Sequence, residues 1–263
     1  MIDAIWAANL MINKLCRKSR GTCRILRAPI EALVSGREAA RTEEDRRMSA
    51  AAATCDRTTS VTRSLLGYGV VAGPFYVVVS LAQALTRAGF DLSRHEWSLL
   101  ANGNLGWIQI ANLVLSGLMS VAFATGLRRA GTGVWAPRLV AAYGLGLVGA
   151  GIFTADPSLG FPPGTPDGPA PVSWHGLLHF VCAGIGFLCM IAACLVMARR
   201  FARDGQRGWA VFSAVTGVAF LGAFVGVASS GSGKPVLIYT FIAAVVLVWS
   251  WMSALAVHLY RAV

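Results

Sequence analysis

The run Trp174-His-Gly-Leu-Leu-His-Phe-Val-Cys-Ala-Gly-Ile-Gly-Phe-Leu-Cys-Met-Ile-Ala-Ala-Cys-Leu-Val-Met-Ala198 contains no Asp, Glu, Lys or Arg and is followed at once by Arg199 and Arg200. A hydrocarbon layer ~30 Å thick needs ~20 such residues in a helix, and this run supplies them. Five further stretches read the same way: Leu65 to Leu85, Leu105 to Leu127, Leu139 to Ala155, Trp209 to Ala228 and Val236 to Val257. They are continuously apolar rather than alternating, and lipid offers backbone groups no partners, so helices are expected instead of barrel strands. The expected fold is all-α, a polytopic membrane protein built as a bundle of six transmembrane helices.

Composition agrees with that reading. Hydrophobic residues make up 56% of the 263-residue chain and charged residues only 13%, and the mean hydropathy is +0.61, which excludes an ordinary soluble domain. The net charge of +11 suggests nucleic acid until the charges are located. Twelve of the 23 Lys and Arg lie in residues 1–63. Of the rest, Arg128, Arg129, Arg138, Arg199, Arg200, Arg203, Arg207 and Arg261 fall on one side of the expected membrane, against Arg87, Arg94 and Lys234 on the other. Such asymmetry orients spans with their basic side in the cytoplasm. Both termini are then cytoplasmic, and no nucleic-acid partner is expected.

Two regions divide the chain. Residues 1–63 form a basic tail, expected to be disordered or loosely helical, in which Ile2, Ile5, Trp6, Leu10 and Leu15 recur at helical spacing and would suit the membrane surface. Initiation at Met48 would still leave a short Ser/Ala/Thr tail ahead of the first span. Residues 64–263 form the six-helix domain. Its many glycines, including Gly144, Gly146, Gly149, Gly184, Gly186, Gly217 and Gly222, read as seams where helices approach closely. Gly144-Leu-Gly-Leu-Val-Gly149 matches the dinucleotide fingerprint in letters alone, because it lies mid-span with no strand before it.

Polar residues sorted by depth gather in the outer leaflet. Asp156 ends the third span; Ser173 is placed to cap the fourth; His175 and His179, four apart, share a helix face. Gln109 and Asn112 lie near the outer end of the second span and Gln83 at that of the first. Polar and ionisable groups at membrane depth are costly and usually mark a cavity. The expectation is therefore one outward pocket formed by Gln109, Asn112, Asp156, His175 and His179. The connection 156–173 is rich in proline from Pro157 to Pro171 and reads as a stiff lid, with Phe161 and Trp174 leaning over the mouth.

Two chemistries suit such a pocket. The first is binding of a small or amphiphilic, lipid-like ligand by a sensor or accessory protein. The second is a zinc-dependent hydrolase in which Asp156, His175 and His179 hold the metal and a bound water attacks. Binding without catalysis is the preferred reading, with no cofactor assigned and zinc as the one metal considered.

Three segments, Ala150-Gly-Ile-Phe-Thr-Ala-Asp-Pro-Ser-Leu-Gly-Phe-Pro-Pro-Gly164, Ser173-Trp-His-Gly-Leu-Leu-His179 and Ala198-Arg-Arg-Phe-Ala202, resemble the bacterial membrane family called domain of unknown function 998 (DUF998). The resemblance covers about residues 64–260. It implies a multi-pass inner-membrane protein with no assigned activity. A looser likeness in layout connects the chain with seven-span zinc hydrolases of the ceramidase and adiponectin-receptor kind, from which it departs by one span and by the third histidine.

Overall fold

A computed structural model describes residues 22–168, 171–230 and 234–263. The apolar face around Trp6 and residues 231–233 lie outside the described residues. The chain divides into two units, 1–58 and 59–263. In the first, the described residues are helical from Thr22 onward. The second holds the bundle.

Six long helices follow in order: α1 (Thr22–Thr86), α2 (Gly106–Arg129), α3 (Trp135–Ile152), α4 (Trp174–Arg203), α5 (Arg207–Ser230) and α6 (Pro235–Ala262), with a short 3-10 helix at Trp97–Ala101. Each contains a segment long and apolar enough to cross a membrane, which in α1 begins at Arg57. No strand forms among the described residues; a single bridge joins Ser158 to Phe161. The all-α architecture and the six spans agree with the sequence reading.

Helix ends differ from the hydropathy windows where local chemistry decides. α3 starts at Trp135 rather than Leu139, because Pro137 fits the first turn of a helix, where its missing N–H costs nothing. It stops at Ile152 instead of Ala155, since Phe153 is already extended and Asp156 precedes a proline that disfavours helix. α4 continues past Ala198 to Arg203; arginines in a last turn complement the negative helix end.

Neighbours in sequence pack as neighbours in space, α2 on α3, α3 on α4, α4 on α5 and α5 on α6. α1 closes the ring. On one side Gly69 lies so close to the Phe123 ring that an added Cβ would meet it at 2.4 Å. On the other, Gly73 abuts Ser253 and the Trp249 carbonyl of α6, with Cβ distances of 2.5 and 2.8 Å. The α2–α3 crossing brings backbone against backbone: a Cβ on Gly117 would sit 2.5 Å from the Gly144 carbonyl oxygen, and one on Gly144 would sit 2.6 Å from that of Gly117. Side chains larger than hydrogen would force these helices apart.

The helix surfaces sort as lipid requires. Ile185 and Leu188 of α4 and Val211, Val215, Val218 and Val225 of α5 are exposed, while Met190, Met197, Phe220, Trp249, Trp251 and Met252 are buried. Exposed aliphatics at helical spacing in six long helices suit hydrocarbon as solvent. Buried polar groups are tied locally. The Trp251 indole donates to Ser213 Oγ at 2.9 Å, and Ser213 donates to its own helix at Trp209 O.

Candidate functional site

The five residues expected to share one pocket are not all brought together, which corrects the sequence reading: Asp156 and His179 reach one internal cavity, while Gln109, Asn112 and His175 do not. Gln109 and Asn112 are wholly buried and face α1. Gln83 Nε2 donates to Gln109 Oε1 (2.8 Å), and Asn112 Nδ2 donates to Ser80 Oγ (3.0 Å) and to the Tyr76 carbonyl (3.1 Å). Gln109 Nε2 in turn donates to Ser80 Oγ at 3.1 Å. This network pins α1 to α2. The side-chain amide oxygen of Gln83, Oε1, is a buried acceptor without a partner among the described residues.

Asp156 acts at a helix end. Its Oδ2 accepts the backbone N–H of Ser173 at 2.8 Å and its Oδ1 accepts the Ser173 hydroxyl at 2.5 Å, while Ser173 Oγ accepts the N–H of Gly176 at 3.1 Å. A carboxylate and a serine thus share the N-terminus of α4, where unpaired donors and the helix dipole both favour negative charge. A Cβ on Gly176 would lie 2.0 Å from Asp156 Oδ2. Only glycine there leaves the carboxylate its place.

His179 performs the converse task on α3. Its Nδ1 lies 2.9 Å from both Ala150 O and Phe153 O. Both partners are carbonyls and only accept, so Nδ1 carries the proton and closes the C-terminal end of α3. His175 is exposed, its ring tilted against those of Trp174 and Phe153. Asp156, His175 and His179 therefore do not converge. Among the described residues no group of three His, Cys, Asp or Glu side chains is arranged to hold a metal ion, which removes the ligand set expected for zinc.

The proline-rich connection is an anchored structure. Phe161 is fully buried, edge-on to Phe90 (5.1 Å between centroids) and beneath the Arg87 guanidinium at 5.0 Å. Arg87 also donates to Leu100 O and, at 2.6 Å, to Asn102 O. Buried His95 joins the two connections: Nδ1 accepts the Asp91 N–H, which leaves Nε2 to donate to Leu159 O, both at 2.9 Å. Trp174, 64% exposed, points away. Neither aromatic expected over the mouth lines the cavity beneath; Ser158 and Leu159 do. Leu159 has φ of 57°, a left-handed conformation that side chains rarely adopt, and one that clusters at functional sites.

That cavity, of about 440 Å³, lies inside the ring of helices. All six contribute lining residues, among them Tyr76, Tyr143, Phe187, Phe220, Phe241 and Trp249, with Asp156 and His179 the two sequence-nominated residues that reach it. Gln109, Asn112 and His175 do not. Tyr76 stacks on Trp249 (4.9 Å, 25° between planes), and Tyr143 tilts against the same indole at 5.7 Å. The sequence offered one usable signal for these residues. Tyr and Trp normally gather at membrane interfaces, whereas Tyr76, Tyr143 and Trp249 stand well inside their spans.

Fold and site together define a six-span helical membrane protein with an aromatic, largely apolar internal cavity. The chain belongs to the family described as "Protein of unknown function (DUF998)", whose match spans residues 70–258, well over half of its length. No curated protein and no solved structure matches it.

Proposed function

We propose that this protein binds a small amphiphilic, lipid-like molecule in its central cavity and acts as a sensor or accessory protein in a bacterial inner membrane. The observation behind this reading is the cavity itself. Its volume falls in the roughly 300–1,000 Å³ range of small-molecule sites, and its walls are predominantly aromatic and aliphatic with a few polar groups, among them Asp156, Ser158 and His179. Burying apolar surface holds the body of such a ligand, and the polar groups at the helix ends fix its head.

The arginine asymmetry supports an orientation with both termini in the cytoplasm and the 153–173 connection outside. Alkaline phosphatase fused after Thr165 is then active and fused after Arg203 inactive; the reverse pattern refutes this placement.

Gly184 provides the test of binding. It lines the cavity, and a Cβ there meets only the tip of the Phe224 side chain, at 3.8 Å, so Gly184→Phe starts with no backbone against its Cβ and adds bulk at the cavity wall. Native mass spectrometry of the protein extracted from its own membranes is expected to show a retained amphiphile that Gly184→Phe lacks. Identical spectra for the two proteins, with neither holding a ligand, contradict the reading.

A further inference from the structure

We propose that the occupant of the cavity presents a neutral carbonyl oxygen, that of an ester or a quinone carried on an apolar body, to the indole N–H of Trp97. This rests on the cavity-binding reading above and adds the chemistry of the occupant's head.

Three observations lead to it. Trp97 opens the short 3-10 helix Trp97–Ala101, is 5% exposed and forms part of the cavity wall, yet its Nε1 is buried with no hydrogen-bond partner among the described residues. An indole N–H can only donate, and a buried donor left unpaired is costly, so an acceptor brought by a ligand makes the bond that the fold alone leaves unmade.

Second, the charges around the cavity favour a neutral acceptor. The wall carries no Lys or Arg, and Arg87, which reaches the same 3-10 helix, is turned to the Leu100 and Asn102 carbonyls and the Phe161 ring. A carboxylate or phosphate head therefore finds no such counter-charge, in surroundings where an unpaired charge is expensive. An ammonium head brings further donors to a place that needs an acceptor. Of the two carboxylates at the wall, Asp156 already accepts the hydroxyl and N–H of Ser173, and Glu96 is likewise engaged.

Third, the wall beside Trp97 suits the rest of such a molecule. The Tyr76 ring lies 6.0 Å from that of Trp97 and stacks on Trp249 at 4.9 Å, and Phe187, Phe220 and Phe241 share the lining. A carbonyl held at Trp97 has aromatic surface at hand for a flat ring or an acyl chain.

The test uses probes that share a chain and differ in head: methyl palmitate, palmitate, hexadecylamine and hexadecane, with a decyl-substituted benzoquinone as the second carbonyl source. Binding is measured to the full chain in nanodiscs of ether-linked phosphatidylcholine, whose chains carry no ester, and the site-specific part is the fraction lost in Gly184→Phe. The better carbonyl probe, which names the source, is expected to bind saturably and about three- to tenfold tighter than hexadecane, and tighter than either ionic probe. Trp97→Phe, which keeps a ring and removes the donor, is expected to erase that advantage and leave hexadecane unchanged. Infrared spectra of the same probe, isotope-labelled at its carbonyl, are expected to show a hydrogen-bonded band at lowered frequency in the wild type. Equal losses of carbonyl probe and hexadecane in Trp97→Phe, tighter binding of palmitate or hexadecylamine, or a free-carbonyl band in the wild type overturns the carbonyl assignment and leaves the cavity reading intact. Absence of Gly184-dependent binding for every probe, together with mass spectra empty of ligand, overturns both.

Discussion

Asp156 holds Ser173 through two hydrogen bonds, to its backbone N–H and to its hydroxyl, across the whole proline-rich connection. Further along α4, His179 returns the favour by donating to the carbonyls of Ala150 and Phe153 at the end of α3. Each helix therefore closes the other's end. Asp156 and His179, two of the three residues that resemble a metal-binding cluster on paper, form a reciprocal clamp between α3 and α4.

Loss of that clamp is measurable as stability. Ser173→Ala removes the side-chain cap and is expected to cost about 1 kcal/mol. Gly176→Ala is expected to be at least as damaging, because its methyl occupies the place of Asp156 Oδ2. Thermal unfolding in mild detergent reports both. Unchanged melting for Gly176→Ala would contradict the geometry.

The glycines fall into two kinds that substitution separates. Gly117→Ala and Gly144→Ala push a methyl onto a facing carbonyl, with an overpacking cost of about 1–3 kcal/mol. At Gly222 nothing lies within 4 Å of an added Cβ, so Gly222→Ala is expected to be neutral or stabilising, alanine being the better helix former by about 1 kcal/mol. Melting temperatures for the three variants should divide accordingly; destabilisation by Gly222→Ala equal to that of the other two would show that the seams are misplaced.

Acid is expected to loosen the 87–105 connection. Asp91 Oδ1 accepts the Ser93 hydroxyl and backbone N–H at 2.7 and 2.8 Å. These bonds hold its carboxyl below the ordinary carboxylate range. A depressed folded-state pKa means the contribution is fully present above the unfolded value of about 3.9 and disappears as pH falls through the folded value. Hydrogen exchange at residues 91–95, corrected for intrinsic rates, should therefore quicken on acidification in the wild type and show a smaller change in Ser93→Ala. The same acid response in both proteins would rule out Asp91 as its source.

Much of the fold was legible because length and hydropathy are local properties. Six spans from Leu65 onward follow from the cost of burying unpaired backbone and charge in lipid, and the Ser173 cap follows from side-chain chemistry alone. The site was legible in depth only. Sequence places Gln109, Asn112, Asp156 and His179 near one end of the bundle, but the direction each faces around its helix depends on which neighbour it meets. Gln109 and Asn112 face Ser80 and Gln83 across the α1–α2 seam, so their hydrogen-bonding capacity is spent between helices. The cavity escaped notice for a related reason: Tyr76, Tyr143 and Trp249 come from three helices far apart in the chain and meet only when α1 closes against α6.

Photolabelling tests occupancy of that cavity most directly. Membranes containing the protein are irradiated with a diazirine-bearing long-chain methyl ester, and the labelled peptides are mapped. Cavity binding predicts labels on lining residues such as Ala183, Phe187, Phe241 and Val245, lost in Gly184→Phe. Labels confined to outward-facing positions such as Leu177, Ile185 and Leu188, and unaltered by Gly184→Phe, would contradict it.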